Sequence, residues 1–186
     1  MRNGLIILGI FIVLSCKAQQ IISLNASALD SAPNSYFKDS NNELDYFTGV
    51  WQGSFQDKTI TLQISKQIKV PIERFGEKFF RDQIFVKYEV KKGNSILESS
   101  LNKDFTNDIG LSIKGSKIQD NSITLVFSGG NCSVGIGTIN LKKINATQFS
   151  WGYYPGTTTR NDITCPPDRD YTIYLPETEN LVFTKQ

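Results

Sequence analysis

Apolar residues recur at every second position along most of this chain, and that period limits the fold more than any other feature. Ile60, Leu62 and Ile64 alternate with Thr59, Thr61 and Gln63. Ile84, Val86, Tyr88 and Val90 alternate with Phe85, Lys87 and Glu89. The same spacing runs through Ile109, Leu111 and Ile113, through Ile123, Leu125 and Phe127, and through Phe149, Trp151 and Tyr153. Tyr171, Ile173 and Leu175 repeat it, and Leu181 and Phe183 end the series. Successive side chains of a strand point to opposite faces, so this period marks strands with one buried face. The sets follow one another at short intervals, separated by Gly, Asn and Pro, as in an all-β meander. Lys92-Gly93-Asn94 supplies one hairpin turn. Closing the sheet removes its edges, so a single antiparallel meander of about eight to ten strands is expected to form a barrel. Residues 41–48 read as a short helical turn before the first strand, stopped by Gly49.

The N-terminus carries a different signal. Arg2 precedes an apolar run from Leu5 to Leu14. A transmembrane helix needs about 20 such residues, so the run fits the h-region of a signal peptide instead. It ends in Val13-Leu14-Ser15-Cys16, the pattern of a lipobox. The expected organisation is a signal peptide over 1–15, a lipidated Cys16 with a flexible tether over 16–40, and a β-barrel domain over 41–186. Two or more acyl chains on Cys16 would anchor the protein stably to a membrane without spanning it.

Composition narrows the chemistry. The sequence has no histidine, which excludes Ser-His-Asp and Cys-His triads and His-ligated zinc. Lys and Arg number 20 against 18 acidic residues, and no basic block stands out. Nucleic acid is therefore not an expected partner. Beside Cys16 the cysteines are Cys132 and Cys165. An oxidising export route favours a disulfide between them, worth roughly 3–4 kcal/mol in the chain-entropy model. The alternative, a reactive thiol, would lack a histidine partner.

Other motifs favour structure over chemistry. The glycine-rich stretch Ser128 to Gly137 is followed by Thr138-Ile139-Asn140-Leu141, a strand pattern and not a phosphate-binding helix. Asp162, Asp168 and Asp170 match no calcium-loop spacing and sit beside Arg160 and Arg169. Nothing singles out a carboxylate pair among Glu73, Glu77, Asp104 and Asp108. No catalytic residue, cofactor or metal set is assigned.

Three stretches carry a family resemblance: Phe47-Thr48-Gly49-Val50-Trp51-Gln52-Gly53, the strand and hairpin from Ile84 to Asn94, and the ending Leu175-Pro176-Glu177 with Leu181 to Gln186. With the Ser15-Cys16-Lys17-Ala18-Gln19 opening, the layout resembles a family of small Bacteroidota lipoproteins with a domain of unknown function. That resemblance implies an envelope compartment and a fold class but no activity. It also implies outer-membrane anchoring that faces the periplasm, since no acidic stretch follows Cys16. Gly49-x-Trp51 is similar to the start of lipocalins and related calycin barrels. There, a Trp on the first strand closes the barrel floor under a basic side chain from near the C-terminus. The resemblance implies that role for Trp51, with Lys185 as its partner.

From these features the expected function is non-enzymatic binding of a small apolar or amphipathic ligand inside the barrel. Phe85, Tyr88, Trp151, Tyr153 and Tyr154 are its candidate lining residues. The alternative is a solid-cored accessory domain that contacts another envelope protein.

Overall fold

The computed structural model describes residues 18–105, 108–159 and 162–186. The signal peptide over 1–15 and Cys16 lie outside the described residues. The strands, in chain order, are β1 (Ile21–Ser23), β2 (Tyr36–Lys38), β3 (Gly49–Phe55), β4 (Lys58–Arg74), β5 (Glu77–Lys92), β6 (Ser95–Ser99), β7 (Ile113–Gln119), β8 (Ser122–Phe127), β9 (Gly137–Asn145), β10 (Gln148–Pro155) and β11 (Leu181–Lys185). From β3 onward each wall strand pairs antiparallel with the next, and β11 returns to pair with β3. β5 pairs with β7 directly, Ile84 facing Gly115, while β6 covers the far end of the same edge. The result is a closed, eight-stranded, lipocalin-like antiparallel barrel with almost no helix. A 3-10 turn at Asp45–Phe47 precedes the first wall strand.

The alternation explains why the barrel closes around these residues. Ile60, Leu62, Ile84, Val86, Tyr88, Val90, Ile123, Leu125, Phe149 and Trp151 all point inward and have no exposed surface. Their neighbours Gln63, Ser65 and Gln67 are exposed. The two ends of the barrel differ. The β4–β5 turn, the 3-10 turn and the start of β3 share one end, here the lower. The β5–β6 turn and the segment from 156 to 180 share the other, the upper.

The lower end is closed by aromatic packing and buried charge. The Trp51 indole donates to Phe47 O at 2.8 Å and packs 4.5 Å from the Phe149 ring. Lys185 Nζ stands 5.2 Å from the Trp51 ring centre. Asp82, 2% exposed, accepts from the Tyr36 hydroxyl at 2.6 Å and from the Asp39 and Lys69 amides. Burial and the neighbouring Asp82 push the Tyr36 hydroxyl up to about 12. Asp39 in turn accepts from the Leu44 and Glu43 amides and pairs with Lys66 at 2.9 Å.

Three expectations are corrected. Residues 21–38 form β1 and β2 against β5, with Leu24 and Phe37 buried. The apolar side chains of that segment had a sheet edge to cover, so it is not a free tether. Ile109 and Leu111 are not in a strand. Leu111 has φ of 66° and bonds to Gly129 O, while Asp108 accepts from the Gly110 amide and Lys103. Tyr171, Ile173 and Leu175 lie in a strand-free segment. There Asp170 accepts from the Thr172 amide and the Tyr174 hydroxyl, and its carbonyl accepts from Asn131. Side-chain bonds have taken the place of a ladder. A disulfide joins Cys132 to Cys165 across a separation of 33 residues and ties this segment to the β8–β9 connection.

Candidate functional site

The five aromatic candidates fall in three different places. Tyr88, Trp151 and Tyr153 point into the barrel and are at most 1% exposed. A hollow calyx would leave its lining with water-accessible surface, and these side chains have none to offer. Their polar tips are also taken. The Tyr88 hydroxyl donates to Glu98 Oε1 at 2.6 Å, the Trp151 indole donates to Pro176 O at 3.1 Å, and the Tyr153 hydroxyl donates to Gly135 O. Ring contacts join strands that are not neighbours, with Tyr88 6.2 Å from Phe127 and Phe127 5.9 Å from Tyr153, while Phe149 stacks on its cross-strand partner Phe183 at 5.4 Å. The ligand-lining role expected of Tyr88, Trp151 and Tyr153 is therefore corrected: they are core side chains. Strand alternation says which face is buried but not whether the opposite wall reaches across to fill it.

Phe85 and Tyr154 face outward, on separate walls. Tyr154 is 45% exposed beside a hollow of about 330 Å³ that also touches Ser122 and Asn140. Phe85 lines a larger groove of about 750 Å³ against the outer face of β4 and β5, with Val50, Gln63, Ser65, Gln67 and Phe105. Lys87 builds its upper rim. Its Nζ donates to Leu101 O at 3.1 Å and Lys103 O at 2.7 Å, and stands 5.7 Å from the Phe105 ring centre. One lysine thus holds the segment after β6 against the wall. The volume lies within the range of ordinary binding clefts, about 300–1,000 Å³. The groove offers aromatic and aliphatic surface bordered by side-chain amides, with Lys87, Lys103 and Asp104 also in its lining. Sequence reasoning missed it because Gln63, Ser65 and Gln67 are the plain polar half of an alternating strand.

The upper end holds a partly buried acid, Glu98. Burial raises the Glu98 carboxyl above its usual range, outweighing the bond from Tyr88, and Asp170 adds to the rise. Burial likewise raises the Tyr88 and Tyr153 hydroxyls. The carboxylates considered for paired chemistry are scattered. Glu73 and Glu77 flank the lower β4–β5 turn, while Asp104 and Asp108 lie in the segment after β6.

A family model described as a family of unknown function (DUF6705) matches residues 1–186. No curated protein and no solved structure matches the chain.

Proposed function

We propose, starting from a chain that belongs to this family of unknown function, that the protein is a lipid-anchored, non-enzymatic envelope domain working from the outside of a solid barrel. The observation that carries this reading is the filled interior: Tyr88, Trp151 and Tyr153 are at most 1% exposed, while a groove of about 750 Å³ lies on the outer face of the wall. The Val13-Leu14-Ser15-Cys16 pattern supports the anchor, placed in the outer membrane and facing the periplasm. The groove's mixture of Val50, Phe85 and Phe105 with Gln63 and Gln67 suits an extended segment of a protein partner, which needs apolar anchors and amide hydrogen bonds together.

In-cell photo-crosslinking tests it. A crosslinking residue at Gln63 should give a discrete adduct, and one at exposed Lys142 on the opposite wall should give none. No adduct from Gln63, together with a small molecule released from the purified protein on unfolding, would overturn the reading. The anchor has its own test: Cys16→Ala should leave the membrane fraction, and full retention there would reject lipidation.

A further inference from the structure

Strand β4 does not end with its partner β3. Their last pairing is Gly49 with Ile64, and β4 continues to Arg74 with β5 as its hydrogen-bonded neighbour. The hairpin runs past the barrel wall and ends in the two-residue turn Phe75-Gly76. Both turn residues have positive φ, 56° and 77°, as a type I′ turn requires. Such turns prefer Asn-Gly, and a bulky residue in this conformation is an outlier. Phe75 is also 70% exposed. Neither turn chemistry nor packing within the barrel accounts for a phenyl ring here.

The N-terminal segment leaves the protein beside this turn. β1, β2 and β5 run parallel, with Ile21 facing Tyr36 and Tyr36 facing Phe80. Working backward, Gln19 Nε2 donates to Asn34 O at 2.7 Å, and the Asn34 amide donates to Lys78 O at 2.7 Å. Gln19 is therefore level with Lys78. The backward direction along β1 is the direction from Lys78 to Gly76. Cys16 lies two residues before Ala18, at most about 7 Å of extended chain. The charges round the turn balance, because exposed Glu73 and Glu77 face Lys78 and Arg74 across the hairpin.

We propose that the Phe75 turn is a second membrane contact, placing its ring in the bilayer interface beside the lipid on Cys16. This rests on the lipid-anchored reading above. The anchor brings the lower end of the barrel to the bilayer, and Phe, like Trp and Leu, buries at the boundary between headgroups and acyl chains. Since the local charges cancel, the contact does not need anionic lipid.

The test uses the lipidated mature protein in phosphatidylcholine vesicles, with and without brominated acyl chains. Trp51 and Trp151 are fully buried, so a Phe75→Trp variant adds one lipid-sensitive signal. An Ile96→Trp variant adds one at the upper end, on β6. The added emission of Phe75→Trp should fall at least twofold with brominated lipid, and that of Ile96→Trp should not change. Vesicle flotation of the wild type, run alongside, separates the two readings. If the protein floats and Phe75→Trp is unquenched, the turn contact is wrong and the anchor stands. If the wild type does not float, both are wrong. A blue shift without bromine quenching would mean that the turn pairs with another copy, and would also overturn the proposal. Phe75→Asn adds an independent check. It suits the turn better, so Tm should rise by about 2–4 °C for a domain of this size. A fall in Tm would show that Phe75 serves the hairpin itself and would overturn the proposal.

Discussion

Glu98 and Asp39 are both acids drawn into the fold, and they shift in opposite directions. Burial raises the Glu98 carboxyl, so the folded protein binds that proton more tightly than the unfolded chain does. Stability from this group is therefore lost as pH rises from the ordinary carboxyl range through the raised folded value. Glu98→Gln keeps an acceptor for Tyr88 and removes the titration. Urea unfolding at pH 4 and pH 8 should show the variant gaining on wild type as pH rises. Asp39 has the reverse sign. Burial alone would raise it, but Lys66 and the Leu44 and Glu43 amides outweigh burial and leave it lowered. Its contribution is present above the unfolded value and lost as pH falls through the folded one. Asp82→Ala strips an acceptor from the Tyr36 hydroxyl and the Asp39 and Lys69 amides. Orphaned buried donors cost about 1–3 kcal/mol each, so a loss of roughly 3 kcal/mol or more is expected in the same assay. None of these acids stands out in the sequence. Asp82 breaks the apolar face of β5 just before Ile84, and nothing in the chain tells a buried acceptor there from a solvent-facing residue.

At the level of elements, alternation was a dependable guide where three or more apolar residues met a paired partner. It marked β4, β5, β8 and β10, and the Gly93-Asn94 turn falls between β5 and β6. It misled at Ile109 and Leu111 and at Tyr171 to Leu175, where side-chain bonds and the disulfide hold irregular backbone. It also passed over β1 and β2, which are only three residues each. Their pairing depends on a β5 edge that no local pattern reveals. Close packing between elements gives a sharp test at Gly115. A Cβ there would meet Thr124 O at 2.5 Å and Leu125 Cα at 2.9 Å. Overpacking of this kind costs about 1–3 kcal/mol, so Gly115→Ala should lower the urea midpoint by a matching amount. Replacing Cys132 and Cys165 by Ser frees a 33-residue loop, for which the chain-entropy model gives a loss of about 3–4 kcal/mol. The 156–180 segment should then become protease-sensitive while the barrel wall stays resistant, as limited proteolysis with mass mapping would show.

For the whole molecule, the barrel was legible but its interior was not. A period of two predicts an apolar inner face for a hollow calyx and for a packed cylinder alike. The difference is made by which large side chains meet across the axis. Here Tyr88 meets Phe127, Phe127 meets Tyr153 and Trp51 meets Phe149, each pair from strands that are not neighbours. Of the five aromatic residues expected to line one site, three are in this core and two are on different outer walls. The outer groove escaped notice because its lining comes from β3, β4, β5 and the segment after β6, an assembly that exists only once the barrel has closed. Function is proposed to lie outside the barrel, with the lower end toward the membrane and the upper end away from it. The filled interior is the claim on which this account depends. Both tryptophans lie within it, so titration with dibromostearate, an apolar contact quencher shaped like a calyx ligand, tests it directly. Trp51 and Trp151 emission should stay constant until the protein unfolds. Saturable quenching at one molecule per chain in the native protein would contradict it and restore a ligand-binding calyx.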